Sequence, residues 1–394
     1  MPSWLILADD LTGANDSGVT FARKGLRTVA AMTPGPLPPA DVWVVSSASR
    51  GLPPDQAAER VRDLLGGLLS GLPVHELPKI YKKIDSALRG NPAEELAALM
   101  AVTGARRAMV CSALPAQERG VLDGRVYWRG QPLAQTEFRH QIRSDDLMEL
   151  FRPAEQAAPL RLLGMETVRQ GPAACVQEMS RHSAGIWIAD SFSEGNLQTL
   201  VRAAQSANVQ VLCGSAGLAG ALAANIQSAM PTTSLPQSAQ PWLAVVGSTS
   251  PASAAQVSAA LAAGARLLAP TPQDVANANL FHGPSSPSQD CILSLANLGE
   301  DSNMVEAYLN HLVRDWVQTN QPGGLFLTGG DTAAAVCAAL SARLIQLEGE
   351  VEAGVPWGRL LDGPHAGLTV ITKAGSFGHS ETLARALALH QPSR

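Results

Sequence analysis

Four short segments of this chain crowd together carboxylates, cations, hydroxyls and glycines in patterns that ligand chemistry uses. The first, Ala8-Asp9-Asp10-Leu11-Thr12-Gly13-Ala14-Asn15-Asp16, sets two adjacent carboxylates between an apolar run and a helical pattern. Carboxylates there can accept hydrogen bonds from substrate hydroxyls, hold a metal or act as a general base. Asp10 or Thr12 could equally cap the helix. The second is Tyr81-Lys82-Lys83-Ile84-Asp85-Ser86-Ala87-Leu88-Arg89-Gly90-Asn91. Cations beside an acid suit an anionic polyhydroxy ligand, with ammonium or guanidinium for its carboxylate and Asp85 for its hydroxyls. Alternation along a strand sends Lys82 and Lys83 to opposite faces unless the strand ends there. Arg50 would join the same rim by topology. A surface salt-bridge cluster is the plainer alternative.

The third and fourth segments are Val246-Gly247-Ser248-Thr249-Ser250-Pro251-Ala252-Ser253 and Leu327-Thr328-Gly329-Gly330-Asp331-Thr332-Ala333-Ala334. Each reads as strand, small-residue loop, then helix, the arrangement in which backbone N–H groups form an anion cradle. Singly, each also fits an ordinary tight turn. Ile371-Thr372-Lys373-Ala374-Gly375-Ser376-Phe377-Gly378 adds a third such loop. Three phosphate-compatible loops and one lysine read as a nucleotide site. Neither GxxxxGK[ST] nor GxGxxG is present, and the missing GxGxxG counts against an NAD-dependent dehydrogenase. The basic residues divide into 24 Arg and 5 Lys. A lysine kept against that bias points to a need for a compact ammonium, which singles out Lys82, Lys83 and Lys373.

Other chemistry is poorly represented. The 8 histidines show no HxxH or HExxH spacing, against a catalytic zinc. The 5 cysteines form no CxxC pair, against a disulfide framework. No GxSxG elbow occurs, and Cys213 reads as a small core residue, although the Gly214–Gly217 turn could touch a ligand.

The elements that must position these loops alternate from the start. Trp4–Ala8, Leu26–Met32, Val42–Ser46, Lys79–Ile84 and Arg107–Cys111 read as strands, and Ala14–Lys24 and Asp55–Leu69 as helices. Asn91 and Pro92 supply an N-cap and first residue for a helix through Met100. Gly120 to Leu133 reads as a small β-arm, after which Ile186–Asp190 and Val209–Cys213 resume the rhythm. Ser228 to Pro241 carries three prolines and no charge, a linker composition. Beyond it come strands Trp242–Val246, Gly324–Thr328 and Leu368–Thr372 and a helix over Ala252–Ala263. The fold class is α/β: two domains, each a mostly parallel sheet flanked by helices, with a small β-arm in the first. The expected division is 1–230, a linker over 231–241, and 242–394.

A length of 394 residues suits two domains. Hydrophobic residues at 46% with charged residues at 16% exclude a disordered chain. A formal charge of −5 and 4% aromatics argue against nucleic acid as a partner. The N-terminus shows no basic n-region and no stretch suits a membrane span, so the chain reads as soluble and cytoplasmic.

ADDLTGAND, KKIDSALRGN, GSAGLA, VVGSTSP, LTGGDTA and ITKAGSFG, in that order over nearly the whole chain, resemble the four-carbon acid sugar kinase family. The resemblance implies phosphorylation of a C4 sugar acid at its terminal hydroxyl by ATP with Mg²⁺. The ADDLTGAND form points to D-threonate, with D-erythronate and 3-oxo-tetronate as alternatives; a non-catalytic sugar-acid sensor is the rival of another class. It also implies a sugar acid held by the first domain, through Asp9, Arg50, Lys82, Lys83, Ile84, Asp85 and Arg89. ATP would be held by the second, through Ser248, Ser250, Gly329, Gly330, Asp331, Lys373, Gly375, Ser376, Phe377 and Gly378. Arg50 and Lys82 are expected to clamp the carboxylate; Lys82 joins Asp85 and Asp10 as a catalytic candidate. Asp9, Asp10 and Asp85 compete for the base role, and Asp331 is the candidate for Mg²⁺. Partners are then the sugar acid and ATP, without nucleic acid or membrane, and a homodimer is compatible. Two positions depart from the family pattern: DST is Asp85-Ser86-Ala87, and GGFG is Gly375-Ser376-Phe377-Gly378.

Overall fold

Period-two and continuous apolar runs become strands wherever the sequence places them next to helical patterns. In the computed structural model, which describes residues 2–33, 35–73, 76–226, 240–276, 289–295 and 302–388, the chain divides into two compact units. In chain order the strands are β1 (Trp4–Ala8), β2 (Thr28–Ala31), β3 (Val42–Ser46), β4 (Lys79–Lys83) and β5 (Arg107–Cys111). The short β6 (Arg119–Leu122), β7 (Arg125–Trp128) and β8 (Gln131–Pro132) follow, then β9 (Leu160–Leu163), β10 (Gly185–Ala189) and β11 (Val211–Gly214). The remainder are β12 (Trp242–Val246), β13 (Arg266–Leu268), β14 (Cys291–Ser294), β15 (Gly324–Thr328), β16 (Leu344–Glu352), β17 (Val355–Leu360) and β18 (Thr369–Lys373).

Unit 1 comprises 1–26 and 39–230. Its strands run β3-β1-β4-β11-β5-β10-β9, every pair parallel. Leu5, Ile6, Leu7, Val44, Ala108 and Ile188 are wholly buried, as expected of a parallel sheet covered on both faces. Helices α1 (Leu11–Ala22), α2 (Pro54–Leu69) and α3 (Pro92–Thr103) follow β1, β3 and β4. Pro92 opens α3 as the sequence predicts, but Asn91 does not cap it: its Nδ2 donates to the Leu52 carbonyl at 2.8 Å. The expected β-arm is the antiparallel set β6-β7-β8.

Unit 2 comprises 27–38 and 231–394. The order β13-β14-β12-β15-β18 is parallel, and β18-β17-β16-β2 continues it antiparallel. Its core packs Trp242, Val246, Phe326, Trp357, Ile371 and Leu383. The expected division is corrected at one segment. Residues 27–38 belong with the C-terminal unit, because β2 pairs with β16 from Ala31↔Leu344 to Thr28↔Leu347. The expected linker lies outside the described residues up to 239.

Candidate functional site

In unit 1 the first two chemical segments and Arg50 meet at the carboxyl ends of the adjacent strands β3, β1 and β4, where ligands bind in open α/β sheets. Asp10 is the N-cap of α1, accepting from the Gly13 amide and the Thr12 hydroxyl, each at 2.9 Å. It also accepts from Arg50 Nη1 at 2.7 Å, so capping and site roles coincide in one side chain. The other edge of Arg50 grips Asp9, with Nε to Oδ2 at 2.8 Å and Nη2 to Oδ1 at 2.9 Å. Burial alone would raise Asp9, but Arg50, backed by Lys82 and Lys83, outweighs it and holds the carboxyl below its ordinary value. Arg89 grips Asp85 by the same edge, Nε at 2.7 Å and Nη2 at 3.0 Å. There too burial is outweighed, chiefly by Arg89 and then Arg50, and the carboxyl stays well below the usual carboxylate range. Gly90, at φ +85°, lets this turn close against the first loop: a Cβ would lie 3.1 Å from Asp9 Oδ2.

The two lysines of this segment have different fates. Lys82 is 0% exposed; its Nζ lies 2.6 Å from Glu95 Oε2 on α3 and donates to the Lys83 carbonyl at 3.0 Å. Burial works against its charge, but Glu95 and Asp9 outweigh that and hold its pKa above the ordinary lysine value. Glu95 also accepts from Ser49 Oγ at 2.8 Å, and Ser49 shares a hydroxyl pair with Ser47, which donates to the Ala8 carbonyl. This buried network fastens the loop after β3 to the end of β1. Of the two residues expected to clamp the carboxylate, Arg50 is paired with Asp9 and Asp10, and Lys82 with Glu95. Lys83 is 5% exposed, and its ammonium acts electrostatically on Asp9 and Asp85. Its Nζ stands over the first turn of α1, 2.8 Å from where a Cβ of Gly13 would be. Ile84 is buried, and its amide donates to the Gly214 carbonyl at 2.9 Å.

In unit 2 the three loops leave the carboxyl ends of the adjacent strands β12, β15 and β18. Ser250 caps the helix Pro251–Ala262, and its hydroxyl also donates to the Gly375 carbonyl at 2.7 Å, joined there by Ser253 at 2.9 Å. Gln256 Nε2 donates to the carbonyls of Phe377 and His379. A Cβ on Gly375 would collide with the Ser248 side chain, so the first and third loops touch only because that residue is glycine. Gly329 precedes the helix Gly330–Ala339, whose first turn presents Asp331 at the surface. Lys373, expected beside the nucleotide, has protein partners of its own. It is 0% exposed, and its Nζ donates to the carbonyls of Ala374, Gly375 and Phe377 at 2.8, 3.2 and 3.0 Å. Burial brings its pKa down to about 8, with Glu352 opposing. It holds the loop from beneath. Ser376 keeps a negative φ, so the loss of glycine there costs no backbone strain.

Residues 4–222 match the family described as a sugar-binding N-terminal domain, and residues 282–383 the family described as a nucleotide-binding C-terminal domain. A D-threonate kinase of Salmonella typhimurium is 32% identical over 97% of both chains. The chain belongs to the four-carbon acid sugar kinase family. Within that family, a D-threonate kinase of Bordetella bronchiseptica is 33% identical over 97% of this chain and 96% of its own. The crystal structure of a Haemophilus influenzae protein, HI1011, superposes with a TM-score of 0.74 at 20% identity, covering 98% of this chain and 100% of its own, which shows the same fold. Two residues at the unit 1 strand ends were not singled out by the sequence. Glu95 sits in the first turn of α3, where an acid reads as a helix-dipole partner; Arg119, in the β-arm, donates to Ser86 and carries no sequence signal of its own.

Proposed function

We propose that the protein transfers the γ-phosphoryl group of ATP to the C4 hydroxyl of D-threonate, giving 4-phospho-D-threonate, as a soluble cytoplasmic enzyme. The observation that carries the reading is the set of three arginine-fixed carboxylates, Asp9, Asp10 and Asp85, beside Lys83 on adjacent strand ends of unit 1. Such carboxylates are acceptors for the hydroxyls of a polyhydroxy acid, held in place before substrate arrives. Phosphoryl transfer needs positioning and charge neutralisation more than a strong base. Asp85, kept ionised by Arg89, would orient the reacting hydroxyl and take its proton late, once the new P–O bond makes that proton acidic.

The phosphates are assigned to the loops of Ser248–Ser250, Gly329–Gly330 and Gly375–Gly378, whose glycines permit close backbone approach. Among the described residues no group of three or more His, Cys, Asp or Glu side chains is placed to hold a metal ion. Mg²⁺ carried on nucleotide phosphates needs as few as one protein carboxylate, for which Asp331, exposed in the first turn of the helix Gly330–Ala339, is the candidate. Bound there, Mg²⁺ would supply charge neutralisation on the transferring group.

A coupled ADP-release assay with Mg-ATP against D-threonate, D-erythronate, 3-oxo-tetronate and threitol tests the reading. D-threonate is expected to give the highest kcat/KM. ADP release with none of the acids refutes kinase activity on this substrate class, and a preference for another acid replaces D-threonate.

A further inference from the structure

Arg119 differs from every other arginine at the unit 1 site. It is 8% exposed, yet no carboxylate of the described residues lies within ion-pair distance of it. One nitrogen, Nη1, donates to Ser86 Oγ at 2.9 Å and to Gln117 Oε1 at 2.7 Å. Its guanidinium carbon rests 5.1 Å from the Phe138 ring centre and 5.8 Å from that of Trp128, its cross-strand partner in the β6–β7 pair. The Nε is buried with no hydrogen-bond partner. The side-chain hydrogen bonds that Arg119 makes to the described residues run from Nη1, not from Nη2.

That Nε/Nη2 edge is the one by which Arg50 grips Asp9 and Arg89 grips Asp85. Guanidinium edges of this kind match carboxylates bidentately. Burial disfavours the Arg119 charge and Arg89 repels it, with Asp85 and Glu137 opposing, and a guanidinium does not deprotonate to escape that cost. A largely buried cation with an unpartnered Nε, and with no carboxylate seated on its Nε/Nη2 edge among the described residues, is matched by an anionic ligand, and Ser86, its anchor, adjoins Asp85. On the reading of unit 1 as the sugar-acid half, we propose that Arg119, carried by the small antiparallel arm, binds the substrate carboxylate. Asp85 would then meet hydroxyls farther along the chain of the same molecule. The arm thereby determines the preference for acids over uncharged polyols.

The test compares wild type, Arg119→Met and Arg119→Lys by calorimetric titration with D-threonate and by steady-state kinetics with ATP. Arg119→Met is expected to weaken D-threonate binding by about tenfold or more, the scale of one bidentate charged contact. The KM for ATP should stay within about twofold, and the preference for D-threonate over threitol should collapse, because the nucleotide loops are untouched. Arg119→Lys should restore part of both affinity and preference. Reduced thermal stability with unchanged D-threonate affinity would make Arg119 a structural residue and overturn the proposal. Wild-type protein that neither binds nor phosphorylates any of the C4 acids would instead overturn the underlying reading. Should Arg119→Met fail to fold by circular dichroism, Arg119→Lys decides: a raised D-threonate KM supports the proposal and an unchanged one overturns it.

Discussion

Replacing Lys82 by Met removes one half of an ion pair whose two side chains are both wholly buried. The Glu95 carboxylate would keep the Ser49 hydroxyl but lose its ammonium at 2.6 Å. Removing one partner of such a pair leaves an uncompensated charge and costs about 3–5 kcal/mol, whereas replacing both by apolar groups is often close to neutral. Lys82→Met and Glu95→Leu should each be strongly destabilising in urea titrations, and the double variant should recover most of the loss. The sign with pH follows from Glu95, whose carboxyl burial already raises. A group with a raised folded pKa favours the fold fully below its unfolded value, near 4.3, and loses that contribution as pH climbs through the folded one. Lys82→Met should therefore be hurt less at pH 5 than at pH 8. Because Lys82 is assigned to the network and not to substrate, the double variant should keep its D-threonate KM within about threefold of wild type. A stable double variant with KM raised about tenfold or more would refute the assignment and return Lys82 to the substrate.

Asp85→Asn should lower kcat by about 10²–10⁴ with the ATP KM little changed, and near wild-type turnover would move the hydroxyl-orienting role to Asp9 or Asp10. Gly90→Ala forces a side chain into φ +85° and sets a Cβ 3.1 Å from Asp9 Oδ2. Stability should fall by about 1–2 kcal/mol and the sugar-acid KM should rise with it. Thermal melts beside kinetics check this, and a KM unchanged at equal destabilisation would deny that Asp9 touches substrate. Lys373 at about 8 sheds one of its donors as pH rises, so the wild-type ATP KM should climb between about pH 7 and 9. Lys373→Met should show a raised ATP KM that is flat over that range; a flat wild-type profile would remove the carbonyl-held ammonium from loop control.

The lysine bias was the most informative feature legible in the sequence. Lys82, Lys83 and Lys373 are the described lysines buried by the fold, and two of them hold protein carbonyls and a carboxylate. Composition can say that an ammonium is needed; only packing says what it is needed for. The parallel strands of unit 1 were readable because both faces are buried and their runs are continuously apolar. The β16–β17 hairpin was not, since Pro356 and Gly358 interrupt the apolar pattern of β17. Pro356 is accommodated at an irregular register beside Glu350, where pairing with β18 has not yet begun. Arg119 was illegible for a simpler reason: its value lies in lacking a carboxylate partner, which no spacing rule encodes.

The excursion of residues 27–38 bears on how this chain can be made and taken apart. A strand translated early belongs to a sheet whose other members leave the ribosome long after it. Unit 2 therefore cannot mature until β16 to β18 have been made, however early its neighbour has settled, and β2 must wait with its backbone groups provisionally satisfied. Nor can one proteolytic cut release a self-sufficient half. A fragment of residues 242–394 would arrive without the partner of β16, so its failure to bind nucleotide would say nothing about where nucleotide binds. The topology calls instead for a fragment that regains the missing strand, supplied as a separate peptide or joined to it by circular permutation.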